Sequence, residues 1–102
     1  MSTSGNFVFA AIADPTRREI LALLEREPRG VEALAARFPI SRPAISKHLR
    51  VLHEAGLVTR TEMGRSNSYR TNAAPLAEVR AWLDEYWGGK LALLKRIAEG
   101  DS

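Results

Sequence analysis

Between residues 41 and 70 the hydrophobic period changes once, from helical to strand-like, and that change limits what the chain can build. The first half, SRPAISKHLRVLHEAG, places Ile45, Leu49 and Leu52 four and three residues apart, the spacing of one helical face. Ser41 is an N-cap candidate, because its hydroxyl can accept an orphan backbone N–H of the first turn. Pro43 falls inside that turn, where its missing N–H is not needed. Gly56 follows the last periodic residue, where a left-handed C-cap belongs. A helix over 41–56 follows, with Pro43, Ser46, Lys47 and Arg50 on its outer face. Residues 57–63 and 68–72 are then rich in Thr, Val and Tyr, with Gly64-Arg65-Ser66-Asn67 between them. That pattern predicts a β-hairpin with a four-residue tip.

A helix with a cationic outer face, followed at once by a basic-tipped hairpin, has the parts of a winged helix-turn-helix. Upstream, residues 31–38 read as a short helix carrying Val31, Leu34 and Phe38 on one face, and Pro39-Ile40 leads to Ser41. Two short helices joined by a tight turn give a helix-turn-helix over 31–56 and a wing over 57–72. Such a helix fits the DNA major groove, where its side chains reach base edges. Residues 41–70 hold six Lys/Arg against Glu54 and Glu62, a net of +4, whereas the whole chain is +3. The positive charge therefore concentrates on the proposed reading unit, as a phosphate-binding surface requires.

Candidate DNA contacts follow from position. Arg42, Ser46 and Lys47 are base-edge candidates, since Arg and Lys can donate to guanine and Ser serves several bases. Ser41 and Arg50 are read as phosphate contacts, which set register. Pro43, Ser66 and Asn67 lie on the same surface. Arg65 either reaches phosphate or the minor groove or stays solvated at the tip. His48 sits beside Ile45 and Leu49 on the helical wheel and is read as a hydrogen-bonded residue at the edge of the core, with phosphate contact as the alternative. His53 is read as surface, and Tyr69 as a strand residue packing the hairpin on the helices.

The remaining residues read as helices that need a partner. Residues 1–6 are small and polar and are expected to fray. Residues 7–13 (FVFAAIA) form a short helix, apolar on nearly all sides, which must be covered on more than one face. Asp14-Pro15 is a strong helix start, and that helix runs to about Glu27 with Ile20, Leu23 and Leu24 buried. Arg17 and Arg18 in its first turn oppose the macrodipole preference and are read as solvated, the alternative being a contact to phosphate or an acidic residue. Pro28-Arg29-Gly30 is a turn. A last helix covers 75–98, interrupted in pattern by Gly88-Gly89. Phe7, Phe9 and Ile12 on the first helix, with Leu83, Tyr86, Trp87, Leu91 and Leu94 on the last, are the candidate dimer interface. Trp82, Tyr86 and Trp87 are read as interface in preference to a ligand pocket.

Composition removes other classes. A chain of 102 residues is expected to be one domain, with a core modest enough that dimerisation would add to it. There is no Cys, hence no disulfide framework and no thiolate site. No stretch reads as a signal peptide or a membrane span, so the expectation is a soluble, cytoplasmic protein that does not engage membranes. No Cys nucleophile, Gly-rich phosphate loop or His placed among carboxylates suggests an enzyme, and no cofactor is expected.

The runs DPTRREILALL (14–24), SRPAISKHLRVLHEAGLV (41–58) and GRSNSYR (64–70) resemble the ArsR/SmtB family of bacterial winged-helix repressors. The resemblance covers residues 7–97. It implies a mainly α fold with one β-hairpin (α-α-α-α-β-β-α), a homodimer built from the first and last helices, and binding of double-stranded DNA at an imperfect palindrome in a promoter. Many members of the family release DNA when a metal binds. One such site uses paired cysteines around the helix before the reader, where this chain has Gly30 and Glu32. Another uses Asp and His on the last helix, where this chain has Asp84 and no His. The chain therefore resembles the metal-independent branch, with the small-molecule effector, if any, unknown. The alternatives are a winged-helix module that binds protein, or a metal- or ligand-responsive repressor.

Overall fold

Seven elements follow one another in the computed structural model, which describes residues 3–100, the side chains of residues 3–6 and of Leu91 excepted. They are α1 (Thr3–Ile12), α2 (Pro15–Arg26), α3 (Val31–Ala35), α4 (Arg42–Glu54), β1 (Val58–Met63), β2 (Ser66–Thr71) and α5 (Ala74–Ala98). The core lies where α1, α2, α3 and α4 converge. Val8 and Ala11 of α1 meet Ile20 and Leu24 of α2, Leu34 of α3, and Ile45, Leu49 and Leu52 of α4. Ala55, Leu57 and Val58 carry this core into the hairpin, and Val79 closes it from α5. Tyr69 is half-buried against it, packing the hairpin on the helices. Among the described residues no polar or charged residue is fully buried, so the core is hydrophobic, although the Nε of Arg29 is itself buried.

α4 is specified at both ends by local chemistry. Ser41 Oγ accepts from Ala44 N at 3.3 Å, and Pro43 occupies the first turn. At the other end Gly56 N donates to His53 O at 2.9 Å and Leu57 N to Leu52 O at 2.9 Å, with Gly56 at φ 77°. This pair of bonds is a Schellman cap, and it needs a residue that accepts positive φ. The cap turns the chain directly into β1. Asn72 then ties the far end of the hairpin back to the same corner. Its N–H donates to Leu57 O at 2.7 Å and its Nδ2 to Gly56 O at 2.9 Å.

The structure corrects several local expectations. The hairpin tip is shorter than the predicted four residues: Met63 pairs with Ser66, leaving only Gly64-Arg65 as the loop. Gly64 has φ 65° and among the described residues no non-glycine has positive φ, the pattern of a type II′ turn, whose twist matches that of the strands. Ser66 and Asn67 therefore belong to β2. Residue 29 is not only part of a turn. Arg29 N donates to Tyr69 O at 3.0 Å and Tyr69 N to Arg29 O at 2.9 Å, a single bridge that pins β2 to the α2–α3 connection. α3 is one turn shorter than expected and continues as tight turns, with Arg37 N donating to Leu34 O at 2.9 Å. α1 begins at Thr3 in place of residue 7, where fraying was expected, and ends at Ile12; residues 1–2 lie outside the described residues.

Arg17 and Arg18 are not solvated in the expected sense. Arg17 Nε donates to Ala11 O at 2.7 Å and Nη2 to Ala10 O at 3.1 Å, while Arg18 Nη1 donates to Ile12 O at 2.7 Å. The two side chains cap the orphan carbonyls at the C-terminus of α1, where cations are favoured. Their placement opposes the dipole of their own helix and complements that of its neighbour. Asp14 caps α2 by accepting from Arg17 N at 3.0 Å. That backbone hydrogen bond holds its carboxyl below the ordinary value of 3.8, against the opposing effect of burial and with help from the charge of Arg17.

α5 runs 25 residues and stays helical through Gly88 and Gly89. A Cβ at either glycine would meet nothing within 4 Å, so neither is required by close packing. Val79 is the buried residue of this helix among those described. The chain extends 62 × 29 × 20 Å with a radius of gyration of 17.0 Å, whereas a compact chain of ~100 residues has ~13 Å. The surface that is not folded inward is therefore concentrated along a projecting helix.

Candidate nucleic-acid interface

α4 presents two unlike faces because its apolar residues recur at helical spacing. Ile45, Leu49 and Leu52 are buried, while Ser41, Arg42, Pro43, Ser46, Lys47 and Arg50 are exposed. His48 lies between the faces, half-buried, with its Nδ1 3.2 Å from Arg17 Nη1. It is thus a hydrogen-bonded residue at the edge of the core, and Arg17 occupies the ring nitrogen on that side. His53 is exposed.

The wing comes to the same side of the molecule. Arg42, Arg65, Ser66 and Asn67 line one open cleft of about 500 Å³, together with Gly30 and Glu32. Arg65 and Ser66 are exposed and Asn67 is half-buried. Ser66 Oγ donates to Met63 O at 3.3 Å, steadying the turn. A Cβ at Gly30 would come within 3.1 Å of Asn67 O, a tight contact, so the α2–α3 connection and the wing approach backbone to backbone.

Two residues not among the candidate DNA contacts join this surface. Arg60 lines a second cleft with Ser46, Arg50, His53 and Tyr69. Strand alternation was the available signal, because Arg60 lies two residues from buried Val58. Glu32 forms an ion pair with Arg42 at 3.3 Å, with both side chains largely exposed. An exposed pair of this kind contributes little stability, at most about 1 kcal/mol, and so leaves Arg42 available to a stronger anion. Nothing in the local sequence marks Glu32 as its partner.

The residues read as an interface between copies lie away from the cationic surface. Phe7 (53% exposed), Leu83, Tyr86, Trp87 and Leu94 (58%) are all solvent-accessible, as are Leu93 and Ile97. Phe9 and Ile12 are half-buried, and the side chain of Leu91 lies outside the described residues. Phe9 meets Trp82 edge-on at 6.2 Å, which joins α1 to α5. Trp82 stacks on Tyr86 at 5.5 Å, Tyr86 meets Trp87 edge-on at 4.9 Å, and Lys90 Nζ lies 4.5 Å over the Tyr86 ring. Apart from the Phe9 contact these lie along α5, and they leave Trp82, Tyr86 and Trp87 substantially exposed.

Among the described residues no three His, Cys, Asp or Glu side chains cluster as a metal site. A borderline cation needs several imidazole or thiolate ligands converging on one point.

Residues 14–60 match the family model described as "Bacterial regulatory protein, arsR family". HTH-type transcriptional regulator Rv2034 of Mycobacterium tuberculosis is 39% identical, over 99% of this chain and 98% of its own length. Transcriptional repressor SdpR of Bacillus subtilis is 38% identical, over 76% of this chain and 87% of its own. Among solved structures, an ArsR-like transcriptional regulator from Rhodococcus sp. RHA1 superposes with a TM-score of 0.78 at 41% identity, covering 95% of this chain and 92% of that one. The homodimeric winged helix-turn-helix DNA-binding domain of Mb0332 from Mycobacterium bovis does so with 0.67 at 30% identity, covering 81% of each. With the helix-turn-helix and wing already in place, these matches identify the chain as a DNA-binding winged helix-turn-helix transcriptional regulator, and it belongs to the ArsR family.

Proposed function

We propose that the chain is a repressor that binds a palindromic promoter operator as a homodimer, and that metal is not its release signal. The observation that carries the reading is the union of α4 and the wing on one exposed cationic surface, with Arg42 and Arg65 lining the same cleft. In this reading Arg42, Ser46 and Lys47 reach base edges, Ser41, Arg50 and Arg60 meet phosphate, and Arg65 at the wing tip follows the neighbouring backbone. His48 supports α4 from behind.

The homodimer is supported by the uncovered apolar surface of α1 and α5, by the elongated shape, and by the homodimeric relative from M. bovis. A two-fold dimer doubles the base contacts that one short helix makes and matches a palindrome. Repression is supported by the relative named a transcriptional repressor in B. subtilis. Metal independence is supported by the absence of a clustered donor set among the described residues.

Selection from a random duplex pool tests this directly. The expected outcome is an enriched palindrome whose affinity falls steeply with salt, since each neutralised phosphate releases counterions. Recovery of no common sequence, with binding insensitive to salt, would leave a protein-binding module as the better account. Placed upstream of a reporter, the selected site should lower transcription when the protein is present; increased transcription would overturn repression.

A further inference from the structure

The corner between α1 and α2 joins three helices through one side chain. Arg17 stands in the first turn of α2, pinned there because its own N–H donates to the Asp14 carboxylate. Its Nε and Nη2 hold the carbonyls of Ala11 and Ala10, at the end of α1. Its Nη1 faces His48 Nδ1 on α4 at 3.2 Å. A guanidinium has donors only, so this contact requires the lone pair of His48 on Nδ1 and the ring proton on Nε2. The donors of Arg17 lie in one rigid plane, so the end of α1 and the back of α4 are fixed relative to each other. His48 is the residue next to Lys47, on the turn that also carries Ser46.

We infer that Arg17 is a positioning residue for DNA readout. It transmits the placement of α1 to the reading helix through His48, and so sets how the two reading helices of a dimer are spaced. The inference rests on the homodimer and operator reading above. Half-sites lie one helical turn apart, ~34 Å, so a small rotation of α4 against α1 displaces Ser46 and Lys47 from their bases in both halves at once. Phosphate contact tolerates such a shift better, because it does not depend on matching base edges. Arg17 need not touch DNA to have this effect.

A double-mutant cycle tests it, using the duplex recovered by selection and a random duplex of equal length. Affinities and the dimerisation constant are measured for the wild type, Arg17→Ala, His48→Ala, the double variant and His48→Asn, whose amide oxygen keeps an acceptor near Nδ1. Losing a hydrogen bond to a charged group should weaken operator binding roughly tenfold in each alanine variant, with under about twofold change on random DNA. The double variant should lose no more than the worse single, and His48→Asn should recover most of the affinity. His48→Ala should dimerise as the wild type does, since His48 lies off α1. Additive losses, or equal losses on random DNA, would overturn the inference. If Arg17→Ala does not fold, the comparison of His48→Ala with His48→Asn decides, and equal operator affinity of the two overturns it. A monomeric wild type refutes the dimer reading instead, and sedimentation reveals that before any variant is made.

Discussion

Trp87→Ala separates an interface made by α5 from a helix that merely projects into solvent. Trp87 keeps 39% of its surface exposed, which on a side chain of roughly 250 Å² is ~100 Å². Covering that area contributes about 2.5 kcal/mol per protomer at ~25 cal/mol per Å². The two-fold axis repeats the contact, giving about 5 kcal/mol per dimer as an upper bound. The alanine left behind retains some contact and part of the ring stays at a wet rim, so about half, 2–3 kcal/mol, is the expected loss. That corresponds to a dimer dissociation constant weakened by roughly 30- to 150-fold. Within one chain, Trp87 meets Tyr86 edge-on at 4.9 Å and lies outside the core around α4, so the fold of the reading unit should survive. Sedimentation equilibrium over nanomolar to micromolar protein measures the first effect, and circular dichroism checks the second. Operator titration should become steeper in protein concentration, because dimerisation then limits binding. A variant that dimerises within about threefold of the wild type would show that α5 is not the interface, since an effect that small is under ~1 kcal/mol.

The other expected outcomes concern the reading surface, metals and the α2 cap. Ser46→Ala and Lys47→Ala should relax sequence preference by about 1–3 kcal/mol of discrimination while changing random-duplex affinity little; equal losses on both duplexes would show phosphate contact only. Low-micromolar Zn(II) or a chelator should leave operator affinity nearly unchanged, and a reproducible release by Zn(II) that His48 or His53 substitution abolishes would restore metal sensing. Asp14→Ala should cost about 1 kcal/mol of stability, read by urea unfolding, because Arg17 N loses its cap. The Asp14 carboxyl titrates below its ordinary 3.8 in the folded chain, so its contribution is fully present above that value and is lost as pH falls through the folded value. The gap between wild type and Asp14→Ala should therefore be constant near neutral pH and close only in acid.

What could be read from the sequence was what a few consecutive residues decide together. Ser41, Pro43 and Gly56 fix the ends of α4, and Ile45, Leu49 and Leu52 fix its buried side. The outer face, and with it most of the candidate contacts, follows from those six residues. The hairpin was visible as a change of period, but its tip was placed two residues too long. Gly64, Ser66 and Asn67 all favour turns, and only the register, Met63 against Ser66, shows that Gly64 alone supplies the positive φ. Arg29 was invisible as a bridge for a different reason: its partner, Tyr69, is forty positions away, and a single bridge has no periodic signature.

Arg17 and Arg18 show where a dipole argument must be widened. Cations in a first turn are unfavourable if the helix is considered alone. At this corner α1 ends on Ala10, Ala11 and Ile12, whose carbonyls need donors, just where α2 begins with two guanidinium groups. The exposed C-terminus of one helix and the misplaced charges of the next cancel, and Asp14 supplies the anion that the start of α2 requires. Sequence periodicity ranks residues by face and cannot say which helix ends meet. The same boundary explains α5: its apolar stripe can be read from spacing and stays exposed in the folded chain, but periodicity within one chain does not name the surface that would cover it.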